Sequence, residues 1–192
     1  MQTTYPRIRR WTRVEYDRLI DHGVFQPGER LELLAGQLVV REPQSDPHSL
    51  AVELVQEALR AAFGPEWRVR AQLPIALDDQ SEPEPDVSVA AGRVHRGVEG
   101  KPSRLALVVE VAASSLALDR EHKGSLYARA RVADYWIVNL AARVLEVYRD
   151  PGPDVGAPYG CAYRMVRTLG PDEHVAPLAA PSARILAADL LP

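Results

Sequence analysis

The sequence predicts a single α/β domain, and three observations carry the prediction. Short apolar runs with strand character alternate with stretches of helical spacing. The run from Arg104 to Val111 is almost unbroken, as expected of a strand covered on both faces. A chain of 192 residues with 46% hydrophobic content can bury one substantial core and is short for two. One domain over residues 1–192 is therefore expected, with its core at about 11–149 and a C-terminal strand extension over 150–192.

The first elements form an N-terminal extension. Thr12-Arg13-Val14-Glu15 has the form of a capping box, with Trp11 and Tyr16 placed for a hydrophobic staple, so a helix should run from about Arg13 to Asp21 before Gly23 ends it. Leu31 to Leu34 and Gln37 to Arg41 flank Ala35-Gly36 as the arms of a β-hairpin, with Glu32 in the first arm. After the turn-like Glu42-Pro43-Gln44-Ser45, Asp46 can cap a helix whose first residue is Pro47. Its apolar positions Leu50, Leu54, Val55, Ala58, Leu59 and Ala62 follow helical spacing, and Gly64 closes it.

Trp67, Val69, Ala71 and Leu73 alternate with polar partners as a half-buried strand that could continue through Ile75 and Leu77. Asp78 to Glu84 then reads as a polar turn. Asp86 to Ala90 and Arg104 to Val111 are strands, residues 115–131 a helix, and Tyr135 to Leu140 a further strand, an order that suggests a right-handed parallel crossover. Val144 to Tyr148 makes another hairpin arm, Asp150 to Tyr159 a proline and glycine loop, and Ala162 to Arg167 an outer strand. There is no internal repeat.

Composition narrows the function classes. The formal net charge of −3 argues against coating nucleic acid through charge alone, while leaving room for a local basic groove. Cys161 is the single cysteine, which excludes an intramolecular disulfide and a Cys-x-x-Cys zinc or redox site. The polar, basic start from Met1 to Arg10 and the lack of about 18 consecutive apolar residues point to a soluble cytoplasmic protein. Of the 23 basic residues only Lys101 and Lys123 are lysines, so each could mark a place that needs a compact ammonium rather than a planar fork.

The chemistry-bearing pattern is Pro85-Asp86 followed by Glu110 inside Leu105-Ala106-Leu107-Val108-Val109-Glu110-Val111. A carboxylate buried in a strand core is costly without a cation, a hydrogen-bonding partner or a raised pKa. If the two strands are neighbours, both acids can converge on one ion, and hard oxygen ligands suit Mg²⁺ or Mn²⁺. The competing reading makes Asp86 a turn cap and pairs Glu110 with Arg104 or Arg120. Asp119, Lys123 and Tyr127 are spaced four apart on the following helix and share a face that can look back at Glu110. An ordinary surface Asp–Lys pair is the alternative there. Glu32 could supply a third carboxylate or be an exposed strand residue, and His48 could serve as a base or phosphate contact or be a plain helix-start residue. Arg93, His95, Arg96, Lys101 and Arg104, in the connection between the two acid-bearing strands, could touch phosphate or form a solvated loop.

Taken together, Glu32-Leu33-Leu34-Ala35-Gly36, His48 opening a helix, Pro85-Asp86, Val109-Glu110-Val111, the spaced Asp119, Lys123 and Tyr127, and Asp134-Tyr135-Trp136-Ile137-Val138 resemble the Uma-type family of restriction-endonuclease-like proteins in the PD-(D/E)XK nuclease superfamily. The resemblance spans roughly Trp11 to Arg149. It implies a restriction-endonuclease-like mixed β-sheet flanked by α-helices, Mg²⁺ or Mn²⁺ held by Asp86 and Glu110 with Glu32 assisting, and hydrolysis of phosphodiester bonds in nucleic acid, most simply DNA. Cutting both strands would favour a homodimer, for which the outer strands offer edges. The superfamily places a lysine two residues after the acid, where this chain has Ala112; a lysine supplied by the helix makes Lys123 the replacement. Asn139 stands where the family often has aspartate. Two other functions stay open at this point: a nucleic-acid-binding or assembly module that keeps the fold without turnover, and a metal-dependent hydrolase of a small phosphoester.

Overall fold

The computed structural model describes residues 8–41, 43–92 and 100–192. Helix α1 (Arg13–Asp21) begins with the expected capping box, the Thr12 side chain accepting from the Glu15 N–H while the Glu15 carboxylate accepts from the Thr12 N–H. Strands β1 (Leu31–Leu34) and β2 (Gln37–Val40) form a two-stranded antiparallel hairpin closed by Ala35 and Gly36 at φ values of +48° and +80°. Two successive positive φ angles match the right-handed strand twist, which is why glycine occupies the second position.

Helix α2 (Asp46–Phe63) starts one residue earlier than the sequence suggests, with Ser45 at the N-cap and Pro47 in its first turn. Its buried stripe is Ala51, Val52, Val55, Leu59 and Phe63, while Leu50 is 48% exposed. The face is thus rotated from the one that Leu50 and Leu54 would define, and Leu50 stands open to solvent.

The main sheet has six strands in the order β3-β4-β5-β6-β7-β8, namely β3 (Trp67–Ala71), β4 (Val87–Ala91), β5 (Leu107–Ala112), β6 (Asp134–Asn139), β7 (Val144–Pro153) and β8 (Cys161–Leu169). Only β5 and β6 run parallel; every other neighbouring pair is antiparallel, so the sheet is mixed. A parallel pair needs a crossover. Here it is a π-helical turn (Leu118–Lys123) that continues into α3 (Gly124–Arg129).

Two expectations need correction. The third strand ends at Ala71, because Gln72 turns to φ +51° and Pro74 follows, so Leu73 is exposed and Ile75 is buried on the other side of the sheet. The proline and glycine segment after Tyr148 is partly strand, β7 running on to Pro153 against β8.

Alternation sorts the sheet into two faces. Val87, Val89, Leu107, Val109, Val111, Trp136 and Val138 point toward α2. The same core takes in Val175, Ile185, Ala187, Leu190 and Leu191 from the C-terminal segment, where β9 (His174–Val175) pairs with β10 (Ile185–Leu186) ahead of a 3-10 turn (Ala187–Leu190). Val108, Ala112, Tyr135 and Ile137 point the other way, toward Tyr127 and Ala128 of the crossover. Glu110 belongs by alternation to this second face. Among the described residues no helix is long and apolar enough to cross a membrane.

Candidate active site

The register of β4 and β5 decides where the acids meet. Val87 pairs with Val109, so Asp86, the residue before β4, stands opposite Glu110. The Asp86 N–H donates to Glu110 Oε2 at 3.4 Å, and the Val111 N–H donates to Asp86 Oδ2 at 2.8 Å. Both carboxyl groups are buried. Glu32 reaches them from the hairpin: Leu33 forms a bridge with Glu82, and the Glu84 N–H donates to Glu32 Oε1 at 3.0 Å. Glu32, Asp86 and Glu110 therefore line one cleft of about 660 Å³, together with Arg41, His48, Ser115, Asp119 and Lys123.

The crossover delivers the cation. Lys123 Nζ donates to Glu110 Oε1 at 3.1 Å and lies 3.2 Å from Glu32 Oε2. The lysine position two residues after the acid is filled by Ala112, which is wholly buried in the apolar core, so the amine arrives from the helix instead. The crossover opens with a π turn. Its Gly124 N–H bonds back to the Asp119 carbonyl, five residues earlier, and Asp119 and Lys123, four apart, both lie on its buried side. A Cβ at Gly124 would come within 3.3 Å of the same carbonyl oxygen, so glycine suits the closure.

Three further groups hold the acids. The Tyr127 hydroxyl, fully buried, donates to Glu110 Oε1 at 2.6 Å. His48 Nε2 lies 3.2 Å from Asp86 Oδ2. Arg41 donates to Asp86 Oδ1 at 3.1 Å and to Glu84 Oε2 at 3.4 Å, and its Nε is 3.5 Å from Glu32 Oε1.

Burial and crowding set the protonation. Burial pushes the Glu110 carboxyl up to about 8, with the negative charges of Asp86, Asp119 and Glu32 adding to it and Lys123 opposing. Burial likewise raises Asp119 to about 6, although Ser115 Oγ donates to its Oδ2 at 2.6 Å. Burial works against the Asp86 carboxylate too, yet His48, Lys123 and the Val111 N–H outweigh it and hold the group below its usual value. For Lys123 burial disfavours the charge, but the carboxylates of Glu110, Glu32, Asp119 and Asp86 keep the ammonium above its ordinary range. Among the described residues, acids outnumber cations in this cleft.

That excess fits a divalent ion. Asp86 and Glu110 offer hard oxygen donors from adjoining strands, with Glu32 beside them. Among the described residues no three His, Cys, Asp or Glu side chains already stand in a ligating arrangement. Their oxygens are instead turned toward Lys123 and Arg41, so an entering ion would have to exchange with the chain's own cations.

Of the residues singled out in the sequence, Asp86, Glu110, Glu32, Lys123 and His48 come together in the cleft. Tyr127 lies beneath it as a support for Glu110 rather than at its surface. Lys101 does not line the cleft: its ammonium is committed to Asp17 and Glu82, bracing α1. Arg93, His95 and Arg96 lie outside the described residues. Asn139 donates to Glu146 and accepts from the Ala142 N–H, a structural task. Sequence reasoning missed Arg41 altogether and gave Asp119 no site role. The signal for Asp119 was its spacing with Lys123; Arg41 carried none in so arginine-rich a chain.

Two comparisons bear on this arrangement. The family model named Uma2, described as "Putative restriction endonuclease", matches residues 13–188. The fold resembles a crystal structure from Anabaena variabilis described as "a putative nuclease belonging to DUF820", at a TM-score of 0.69 and 16% identity, covering 94% of this chain and 97% of that one. No curated protein matches the sequence significantly.

Proposed function

The chain belongs to the Uma2 family of restriction-endonuclease-like proteins, and on that footing we propose that it is a divalent-metal-dependent endonuclease that hydrolyses phosphodiester bonds in nucleic acid, with DNA as the expected substrate. The observation that carries this reading is the pairing of Asp86 with Glu110 across β4 and β5, with Lys123 Nζ 3.1 Å from Glu110. Asp86 and Glu110, assisted by Glu32, would hold Mg²⁺ or Mn²⁺. The ion would supply Lewis-acid chemistry, drawing charge from the phosphate and acidifying the attacking water.

The chain's own groups do the rest. Tyr127 fixes Glu110 Oε1 from below, and the Asp86 N–H steadies Oε2. His48 and the Val111 N–H hold Asp86 Oδ2. Lys123 offsets negative charge at the cleft floor, where it can orient the attacking water and balance charge developing on the phosphate. Position and field, rather than a covalent nucleophile, are what these residues provide. Cutting both strands of a duplex suits a symmetric pair of subunits, and a reducing cytoplasm suits the free Cys161.

Cleavage decides the matter. Purified protein should nick or cut DNA with Mg²⁺ or Mn²⁺ and stop when EDTA is added. Asp86→Ala and Lys123→Ala should each lose activity by about 10²-fold or more while circular dichroism shows them folded. Undiminished cleavage in either variant removes that residue from the mechanism. Turnover of a small phosphoester with no polynucleotide cleaved would replace the assigned substrate.

A further inference from the structure

Arg41 follows directly after β2, whose last residue, Val40, is 60% exposed, so it enters the cleft from the rim. Its nitrogens are divided among different acids: Nε faces Glu32 at 3.5 Å, Nη1 Glu84 at 3.4 Å and Nη2 Asp86 at 3.1 Å. None of these is a short forked pair. Charge-assisted N–H···O bonds usually run about 2.7–2.9 Å. The same chain makes such forks elsewhere, Arg120 on Glu146 at 2.9 and 2.6 Å.

The two cations among the described residues of the cleft differ in how easily they can leave. Lys123 is sealed, its side chain 5% exposed between two buried acids. Arg41 is the looser one, 12% exposed, and one of its acids, Glu84, is itself 27% exposed. A divalent ion settling on Asp86 repels the guanidinium from that carboxylate while Glu84 can keep its hold on Nη1. The released fork then points at a cleft that must accept an anionic phosphate over an acidic floor. A planar guanidinium is suited to that phosphate geometry.

Building on the metal-dependent reading above, we propose that Arg41 is the displaceable counter-ion of the cleft: it neutralises Asp86 and Glu32 before a divalent ion binds, and moves onto a substrate phosphate afterwards. Arg41 thus serves as a counter-ion in one state and a phosphate-binding residue in the other, with opposite effects on the two ligands.

The test uses the full chain and two probes, Mn²⁺ alone, followed by its electron paramagnetic resonance, and a non-cleavable phosphorothioate oligonucleotide at saturating Mn²⁺. Arg41→Gln removes a positive charge that competes with the ion, so it should bind Mn²⁺ about tenfold more tightly and the oligonucleotide about tenfold more weakly. Arg41→Lys, which keeps the charge and loses the fork, should hold Mn²⁺ like the wild type and still bind the oligonucleotide more weakly. If thermal melting shows Arg41→Gln unfolded, the lysine variant alone decides. Weakening of both ligands, or no change in either, overturns the inference and leaves the metal reading standing. Wild-type protein that takes up no Mn²⁺ overturns both.

Discussion

Two groups of buried acids in this protein are treated in opposite ways. On β6 and β7, Asp134 accepts from Arg149, from the Trp136 indole and from the Leu178 N–H, and Glu146 accepts from Arg120, Asn139 and Tyr148. Burial opposes the Glu146 charge, but those donors outweigh it and hold the carboxyl below its usual value. In the cleft, Glu32, Asp86, Glu110 and Asp119 share Lys123 and Arg41, and two of the four are pushed upward. Buried acids in themselves are therefore no mark of a site in this chain. An acid cluster left short of cations is the better candidate, because such a deficit costs stability unless a ligand makes it good.

The largest expected difference lies in stability. Asp134→Asn removes the charge of a fully buried carboxylate and leaves the Arg149 guanidinium only the Ala176 carbonyl among its present acceptors, so urea denaturation should show a loss of about 3 kcal/mol with Mn²⁺ binding unchanged. Glu110→Gln should behave in the reverse manner, staying within about 1 kcal/mol of wild type near pH 6 and losing Mn²⁺ binding. A large destabilisation of Glu110→Gln at that pH would mean the two regions are built alike.

The comparison sharpens with pH. Glu110 titrates at about 8 in the folded protein against an ordinary value of 4.5, so between those values the folded state holds a proton that the unfolded state has lost. Its contribution to stability is complete below about pH 4.5 and falls away as the pH rises through about 8. Wild-type stability should fall over that window relative to Glu110→Gln, and Mn²⁺ binding at pH 7 should release protons, read as a buffer-dependent heat in titration calorimetry. Heats independent of the buffer would place Glu110 outside the ligand set. A smaller effect belongs to Arg120→Gln: its guanidinium is 47% exposed, and Asn139 and Tyr148 still donate to the buried Glu146 carboxylate, so the melting curve should register about 1–2 kcal/mol.

Much of this was legible in the sequence. An acid inside an otherwise unbroken apolar strand has few explanations, and Glu110 stood out for that reason; Lys123 stood out as one of two lysines. The succession of strands along the chain followed from hydrophobic period, and the parallel pairing of β5 with β6 followed from the helical stretch between them, whereas the order of the other strands in the sheet did not. What escaped was local geometry. Helical spacing fixed that α2 exists but not which face packs, because Leu50 and Leu54 compete with Ala51 and Val52 on pattern alone. Period gave no warning of the break after Ala71, where one positive φ at Gln72 reverses the direction of Ile75. Arg41 was invisible because its role comes from acids far away in sequence, at Glu84 and Asp86.

The widened turn at Leu118–Lys123 carries a consequence for inheritance. Loss of a single codon there would let the segment relax into ordinary α-helix, and each residue of helix advances the side chains by roughly 100°. A loss falling between Asp119 and Lys123 would leave them three apart, still neighbours on one face of that helix. A descendant carrying that deletion would keep both the chemical groups and their convergence, so the extra residue of the turn is expendable for the cleft.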